Sequence, residues 1–194
     1  MMELKATHLY KSYNGQAVLQ DWCFSIGASQ RIALMGPSGC GKTTFLRILM
    51  GLEQPESGTV DGLESLRISA VFQQPRLCPS LSGLDNLLLV TEKSPTRIQQ
   101  AKGLLERMGL GKDHWNKPVL KLSGGQQQRI AIARALMIPF DILLLDEAFQ
   151  GLDATSRELA CQLVLEHCKG KMLLAVTHHP QEAELLQAEI FTME

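Results

Sequence analysis

The 194 residues carry a formal net charge of −1, with 45% hydrophobic and 20% charged residues. That balance is ordinary for a soluble globular protein and excludes both a disordered chain and a global basic field for nucleic acid. Five scattered cysteines (Cys23, Cys40, Cys78, Cys161, Cys168) form no CxxC pair, residues 1–5 lack a signal layout, and the apolar runs 142–145 and 172–176 are short. We therefore expect a reducing compartment, no bilayer span, and a membrane role only through a partner.

In chain order, 3–10 and 17–26 alternate and flank the turn signal Asn14-Gly15, which predicts an antiparallel pair. An apolar strand over 30–35 runs into a glycine-rich loop, and 42–50 has helical composition, ending at Gly51. Residues 57–72, punctuated by Gly58 and Gly62, read as a tight hairpin or strand pair, and 82–92 as a short helix. Ser94-Pro95 is a cap followed by a first-turn proline, and apolar residues at 98, 101, 104, 105 and 108 continue a helix to Gly109. A helix over 124–137, a buried strand over 142–145, a helix over 154–168 behind Asp153, a strand over 171–177 and a helix over 180–187 complete the order. Alternating helices and unbroken apolar strands predict a mostly parallel sheet with helices on its faces.

Gly36-Pro37-Ser38-Gly39-Cys40-Gly41-Lys42-Thr43 fits the phosphate-loop pattern in full, between a strand and a helix, and is followed by Thr44. Its glycines let successive amides point inward as an anion nest, and the following helix adds its positive end. Lys42 supplies a charge for the outer phosphates, and the Thr43 hydroxyl is a Mg²⁺ ligand. This motif alone says nucleoside triphosphate and leaves kinase, GTPase and transporter open. Cys40 reads either as a redox-sensitive thiol or as a small residue whose backbone matters. The strand at 142–145 ends in Asp146 and Glu147. Asp146 is placed to hold Mg²⁺ opposite Thr43, and Glu147 to orient and polarise the attacking water.

Leu122-Ser123-Gly124-Gly125-Gln126 is an unbroken LSGGQ, with Ser123 as a helix cap and two bare glycines, so it forms a second anion-binding helix tip. On this segment the chain resembles the ATP-binding cassette family, and the whole sequence follows that family in motif order. The resemblance implies an α/β P-loop ATPase with a mostly parallel core sheet, an N-terminal antiparallel β subdomain and an inserted helical subdomain. The expected layout is a single 1–194 domain, with 1–72 and 139–194 as ATP-binding core and 73–138 as helical signature subdomain.

It further implies that Tyr13 stacks on adenine with Val18 beside it. Gln73 touches Mg²⁺ and the water, Asp153 in Gly151-Leu152-Asp153 meets the opposite subunit, and His178 reads the γ-phosphate. Taken singly, Tyr13 is a hairpin aromatic, Gln73 a surface amide, Asp153 a helix cap and His178 a structural side chain. Their joint order ties them to the family. Departures stand at Ala148, where proline is frequent, at Gln150-Gly151, and at His179, where aspartate is common. No regulatory domain is expected after Glu194.

The implied function is ATP hydrolysis with Mg²⁺, driving solute transport at the inner face of a cell membrane. The implied partners are a second cassette, identical or paired, permease subunits received in a groove around residues 73–90, and a separate solute-binding protein; no nucleic acid is expected. Residues 72–79, followed by Asp85-Asn86, resemble import cassettes, and 152–157 is similar to those of the nitrate, sulfonate and taurine group. Export or lipoprotein release, and non-transport cassette roles, are the alternatives.

Overall fold

The computed structural model describes residues 3–194; Met1 and Met2, where the expected domain begins and part of the stretch read for a signal lies, fall outside the described residues. The chain runs β1 (Glu3–Tyr13), β2 (Gln16–Gly27), β3 (Arg31–Met35), α1 (Lys42–Leu49), β4 (Ser57–Asp61) and β5 (Ile68–Val71). It continues α2 (Gly83–Leu88), α3 (Pro95–Arg107), α4 (Lys112–Trp115), α5 (Gly124–Ala135), β6 (Ile142–Asp146), α6 (Ala154–His167), β7 (Met172–Val176), α7 (Pro180–Leu185) and β8 (Glu189–Thr192). Among the described residues two compact units result: residues 3–70, 140–146 and 168–194 form the first, and residues 71–139 and 147–167 the second.

In the first unit, β2-β1-β4 form a three-stranded antiparallel sheet and β5-β6-β7-β3-β8 a five-stranded one. β3 pairs parallel with β7 and β8, and β6 with β7. Every residue of β6 and β7 is buried, which is why neither shows polar alternation. The core joins Leu4, Phe24 and Ile26 to Phe45, Leu46, Leu144 and Leu174. Phe24 meets Phe45 edge-on at 5.2 Å between ring centroids. Asp141, just ahead of β6, clamps Arg67, just ahead of β5, through side-chain bonds of 2.9 and 2.8 Å.

The expected hairpin over 57–72 is corrected here. β4 pairs with β1 in one sheet while β5 joins the other. Gly62 serves close approach, not a hairpin turn: at φ 85 its backbone runs so near β1 that a Cβ would lie 2.1 Å from the Glu3 carbonyl oxygen. β8 was not expected. It is an edge strand of four exposed residues, too short and too wet to leave a pattern.

The second unit is helical. α2 packs on α3 and α5, α3 on α5, and α5 on α6. Ser82 caps α2 by accepting from the Asp85 amide at 3.0 Å. Asn86, fully buried, accepts from the Cys78 amide at 2.9 Å and donates to the Ser82 carbonyl at 3.0 Å, so the loop before α2 is pinned from below. Arg107 reaches Glu166 of α6 at 2.6 Å.

Candidate active site

In the first unit the register gathers chemistry at one edge of the parallel sheet. Leu34 and Asp146 both stand opposite Val176. The loop 36–41 after β3, the carboxylate closing β6 and the turn 177–179 after β7 therefore emerge together. The carboxyl ends of parallel strands are where open α/β sheets take ligands.

The loop after β3 is built by backbone demands. Gly41 caps α1 at φ 105, and a Cβ there would lie 2.7 Å from the Val18 carbonyl oxygen. Only glycine lets β2 and the loop approach so closely. The amides of Lys42, Thr43 and Thr44 open α1, and helix first turns leave such groups without intrahelical partners. Lys42 is only 5% exposed, and its ammonium donates to the Gly36 and Pro37 carbonyls at 2.8 and 2.7 Å, with the Cys40 sulfur at 3.5 Å. The Thr43 hydroxyl donates to Asp146 Oδ1 at 3.1 Å. A loop amide cluster, a buried ammonium and a hydroxyl–carboxylate pair thus sit in one place. This is equipment for a polyphosphate and a hard cation.

His178 lies exposed on the neighbouring turn. That turn is held from behind: the buried Thr177 hydroxyl donates to Glu182 Oε2 at 2.5 Å and accepts from the His179 amide at 3.0 Å. Glu182, only 2% exposed, has no signal in the sequence, because a glutamate on a short helix reads as solvated surface. Tyr13 faces Gln16 across the hairpin turn, keeps 40% exposure, and stands two residues beyond that partner from Val18 along the chain register.

The second unit holds another constellation. The Gln73 amide donates to Glu147 Oε2 at 3.1 Å and to Gln150 Oε1 at 3.3 Å. Gln150, noted in the sequence only as a departure, thus shares a donor with Glu147. Glu147 adopts φ 45, a left-handed conformation that a non-glycine residue takes at a cost, and such outliers concentrate where a side chain must be aimed. Beneath this pair Gln128, 3% exposed, donates to the Ala148 carbonyl at 2.9 Å and the Phe72 carbonyl at 3.4 Å. One side chain therefore ties together the two segments that carry Gln73 and Glu147. The sequence hid it among three consecutive glutamines. Gln128→Ala is expected to lower stability by about 1–3 kcal/mol, because the buried Ala148 carbonyl and the half-buried Phe72 carbonyl lose their donor. It is also expected to slow ATP turnover more than it weakens ATP binding; a thermal melt with steady-state kinetics checks both.

Ser123, Gly124, Gly125 and Gln126 begin α5 as a full capping box. The Ser123 amide donates to Gln126 Oε1 at 2.9 Å, and the Gln126 amide to Ser123 Oγ at 3.3 Å. A Cβ at Gly125 would stand 3.2 Å from the Gly151 carbonyl oxygen, so the helix tip and the 151–153 loop lie together. Asp153 caps α6, accepting from the Ser156 amide at 2.9 Å and hydroxyl at 2.7 Å. Those bonds first, and then the nearby Arg129 charge, hold its carboxyl below the usual range while burial opposes them.

Comparison with known proteins agrees with this equipment. The sequence profile of the family described as ABC transporter matches residues 19–150. The chain is 41% identical to the aliphatic sulfonates import ATP-binding protein SsuB 1 of Streptomyces avermitilis, with 96% of this chain and 71% of that protein covered. It is 37% identical to the taurine import ATP-binding protein TauB of Pseudomonas aeruginosa, covering 92% of this chain and 72% of that protein. Among solved structures, a dimeric ATP-binding cassette in a post-hydrolysis state bound to ADP and Pi superposes with a TM-score of 0.87 at 30% identity, over 98% of this chain and 94% of that one. The chain belongs to the ABC transporter family, as one of its ATP-binding ATPase subunits.

Proposed function

We propose that this chain powers import of a small organosulfonate, as the cytoplasmic ATPase of a bacterial transporter. The observation that carries the ATPase chemistry is the Thr43–Asp146 pair, 3.1 Å apart beside the loop amides and Lys42. A hydroxyl and a carboxylate are hard oxygen donors that suit Mg²⁺. Among the described residues no cluster of three or more His, Cys, Asp or Glu side chains forms a metal site alone. This pattern fits a cation completed by nucleotide phosphate oxygens. Held there by Thr43 and Asp146, Mg²⁺ would supply positive charge against the charge developing on the transferred phosphoryl group.

The chain's own residues do the rest. The amides of 39–44 and the Lys42 ammonium bind the phosphates, Thr43 and Asp146 would hold the cation, and Gln73 is proposed as a further ligand to it. Glu147 orients the attacking water and takes its proton, with Gln73 holding the carboxylate. His178 contacts the γ-phosphate. Two copies close around two ATP molecules, each offering Ser123 to Gln126 to the nucleotide held by the other, with Asp153 at the shared face. Support for pairing comes from the dimeric cassette to which the chain is similar.

The permease docks on the second unit, near a cavity of about 210 Å³ lined by Gln74, Pro75, Leu77 and Leu120. Arg134 shapes this region by donating to the Arg76 and Pro75 carbonyls at 3.0 and 3.2 Å. Leu120, which lines this cavity, remains 74% exposed, an apolar contact suited to a short permease helix. The sulfonate cargo rests on the names of the two import relatives, and a separate solute-binding protein completes the transporter.

Deleting the gene is expected to abolish growth on taurine or alkanesulfonates as sole sulfur source, while growth on sulfate continues. Leu120→Asp is expected to fail in rescue yet to leave the purified subunit able to hydrolyse ATP. Unchanged growth of the deletion strain on every sulfonate tested sinks the cargo. Full rescue by Leu120→Asp sinks the docking surface.

A further inference from the structure

We propose that Lys11 and Glu53 are positioning residues for the nucleotide base: the Lys11 ammonium, held in place by Glu53, covers one face of the Tyr13 ring so that its other face is presented, already ordered, to the purine. The inference rests on the reading of Tyr13 as the base platform.

Tyr13 stands beside an exposed hairpin turn, where an aromatic side chain ordinarily samples several rotamers. Here it does not stand alone. The Lys11 ammonium lies over its ring, 5.4 Å from the centroid, and 2.9 Å from Glu53 Oε1. The same ammonium donates to the Gln54 carbonyl at 2.8 Å. The Glu53 carboxylate also feels the Arg47 guanidinium, whose Nη2 is 4.0 Å away. The Lys11 hydrogen bond, more than any other contact, holds Glu53 below its ordinary carboxylate range, against the effect of burial. Glu53 correspondingly raises Lys11.

The Lys11 and Glu53 side chains are only 14% and 21% exposed, whereas Tyr13 keeps 40%. A second stitch fixes the same segment: the Ser12 amide and hydroxyl donate to Glu56 Oε1 at 3.0 and 2.6 Å. Arg47 belongs to α1, the helix whose first turn forms the phosphate cradle. Ring, clamp and cradle helix are thus linked through polar contacts within one unit.

Two physical consequences follow. Rotamer freedom is lost before the nucleotide arrives, so stacking does not have to offset it. A cation on one ring face leaves the opposite face for the base. Neither effect touches the triphosphate, so base and phosphate contributions separate cleanly.

The test is calorimetric binding of ATP and of inorganic tripolyphosphate, which carries the phosphates without a base, to the full chain with Mg²⁺. Lys11→Met and Glu53→Gln are each expected to raise the ATP Kd about fivefold. Tripolyphosphate binding should stay within about twofold, and also reports that the cradle is folded. Lys11→Arg, which keeps both the cation and the ion pair, is expected to bind ATP within about twofold of the parent. Tyr13→Ala is expected to lose about tenfold for ATP and nothing for tripolyphosphate. If Tyr13→Ala behaves so while Lys11→Met and Glu53→Gln leave ATP binding unmoved, the clamp is wrong and the platform stands. Equal weakening of both ligands by the clamp variants reduces the pair to a general structural role and overturns the inference. An unaltered ATP-to-tripolyphosphate ratio in Tyr13→Ala removes the platform, and the clamp with it.

Discussion

Replacing Glu147 by Gln is expected to slow ATP hydrolysis at least about 100-fold while ATP still binds, the range that a positioned proton acceptor contributes. The substitution preserves shape. A glutamine at 147 still offers an oxygen to the Gln73 amide, now 3.1 Å from the carboxylate, so the local network survives. It removes only the negative charge that polarises the water and accepts its proton. With hydrolysis blocked and the cradle intact, ATP should hold two copies together, because a ligand that favours the closed pair shifts the population toward it. Size-exclusion chromatography with and without ATP reads this directly. A variant that stays monomeric with ATP and hydrolyses it at the parent rate removes Glu147 from the reaction.

The second large effect comes from splitting the shared site between two chains. Lys42→Ala removes the ammonium buried against the Gly36 and Pro37 carbonyls. Ser123→Arg fills the helix tip with a bulky side chain and removes its cap, at a cost of about 1 kcal/mol to the fold. Each variant alone is expected to lose activity by about 100-fold or more, as when a positioned phosphate contact is deleted. Mixed in equal amounts, half of the randomly formed dimers pair an intact cradle from one copy with an intact helix tip from the other. Activity should then return to about a quarter of the parent, since those dimers hold one complete site of two. A mixture as silent as its components rules out a nucleotide gripped by two copies. Thermal melts on each variant confirm that silence is not unfolding.

Much of this site is legible in the residues because its chemistry is local. The cradle at 36–43, the capped tip at 123–126 and the acids at 146 and 147 each consist of neighbours in the chain. Phosphate binding by backbone amides demands glycine at particular steps, and that demand leaves a readable pattern. The buried strands β6 and β7 were equally legible, since cover on both faces requires unbroken apolar runs.

Other features carried no such mark. Gln128 matters only because Phe72 and Ala148, far apart in sequence, are brought within reach of its amide. Glu182 matters only because its carboxylate is buried against Thr177. Lys11 and Glu53 are ordinary charged residues until folding pairs them and sets the Lys11 ammonium over the Tyr13 ring. The two strands expected within 57–72 are present, but they do not pair with each other, for a related reason: strand pairing is non-local, and Gly62 answers to the carbonyl of Glu3, not to a neighbour in the turn.

By itself, then, the sequence determined the family and the strand–loop–helix units and named the candidate site residues, since these depend on residue type and short spacing. Tertiary structure alone decided which sheet each short strand joined, which side chains hold the candidate site residues in place, and how the loop after β3, the carboxylate closing β6 and the turn after β7 come to one edge of the first unit's sheet. Hydrogen-bond partners drawn from distant segments are set by packing, and no periodicity along the chain records them.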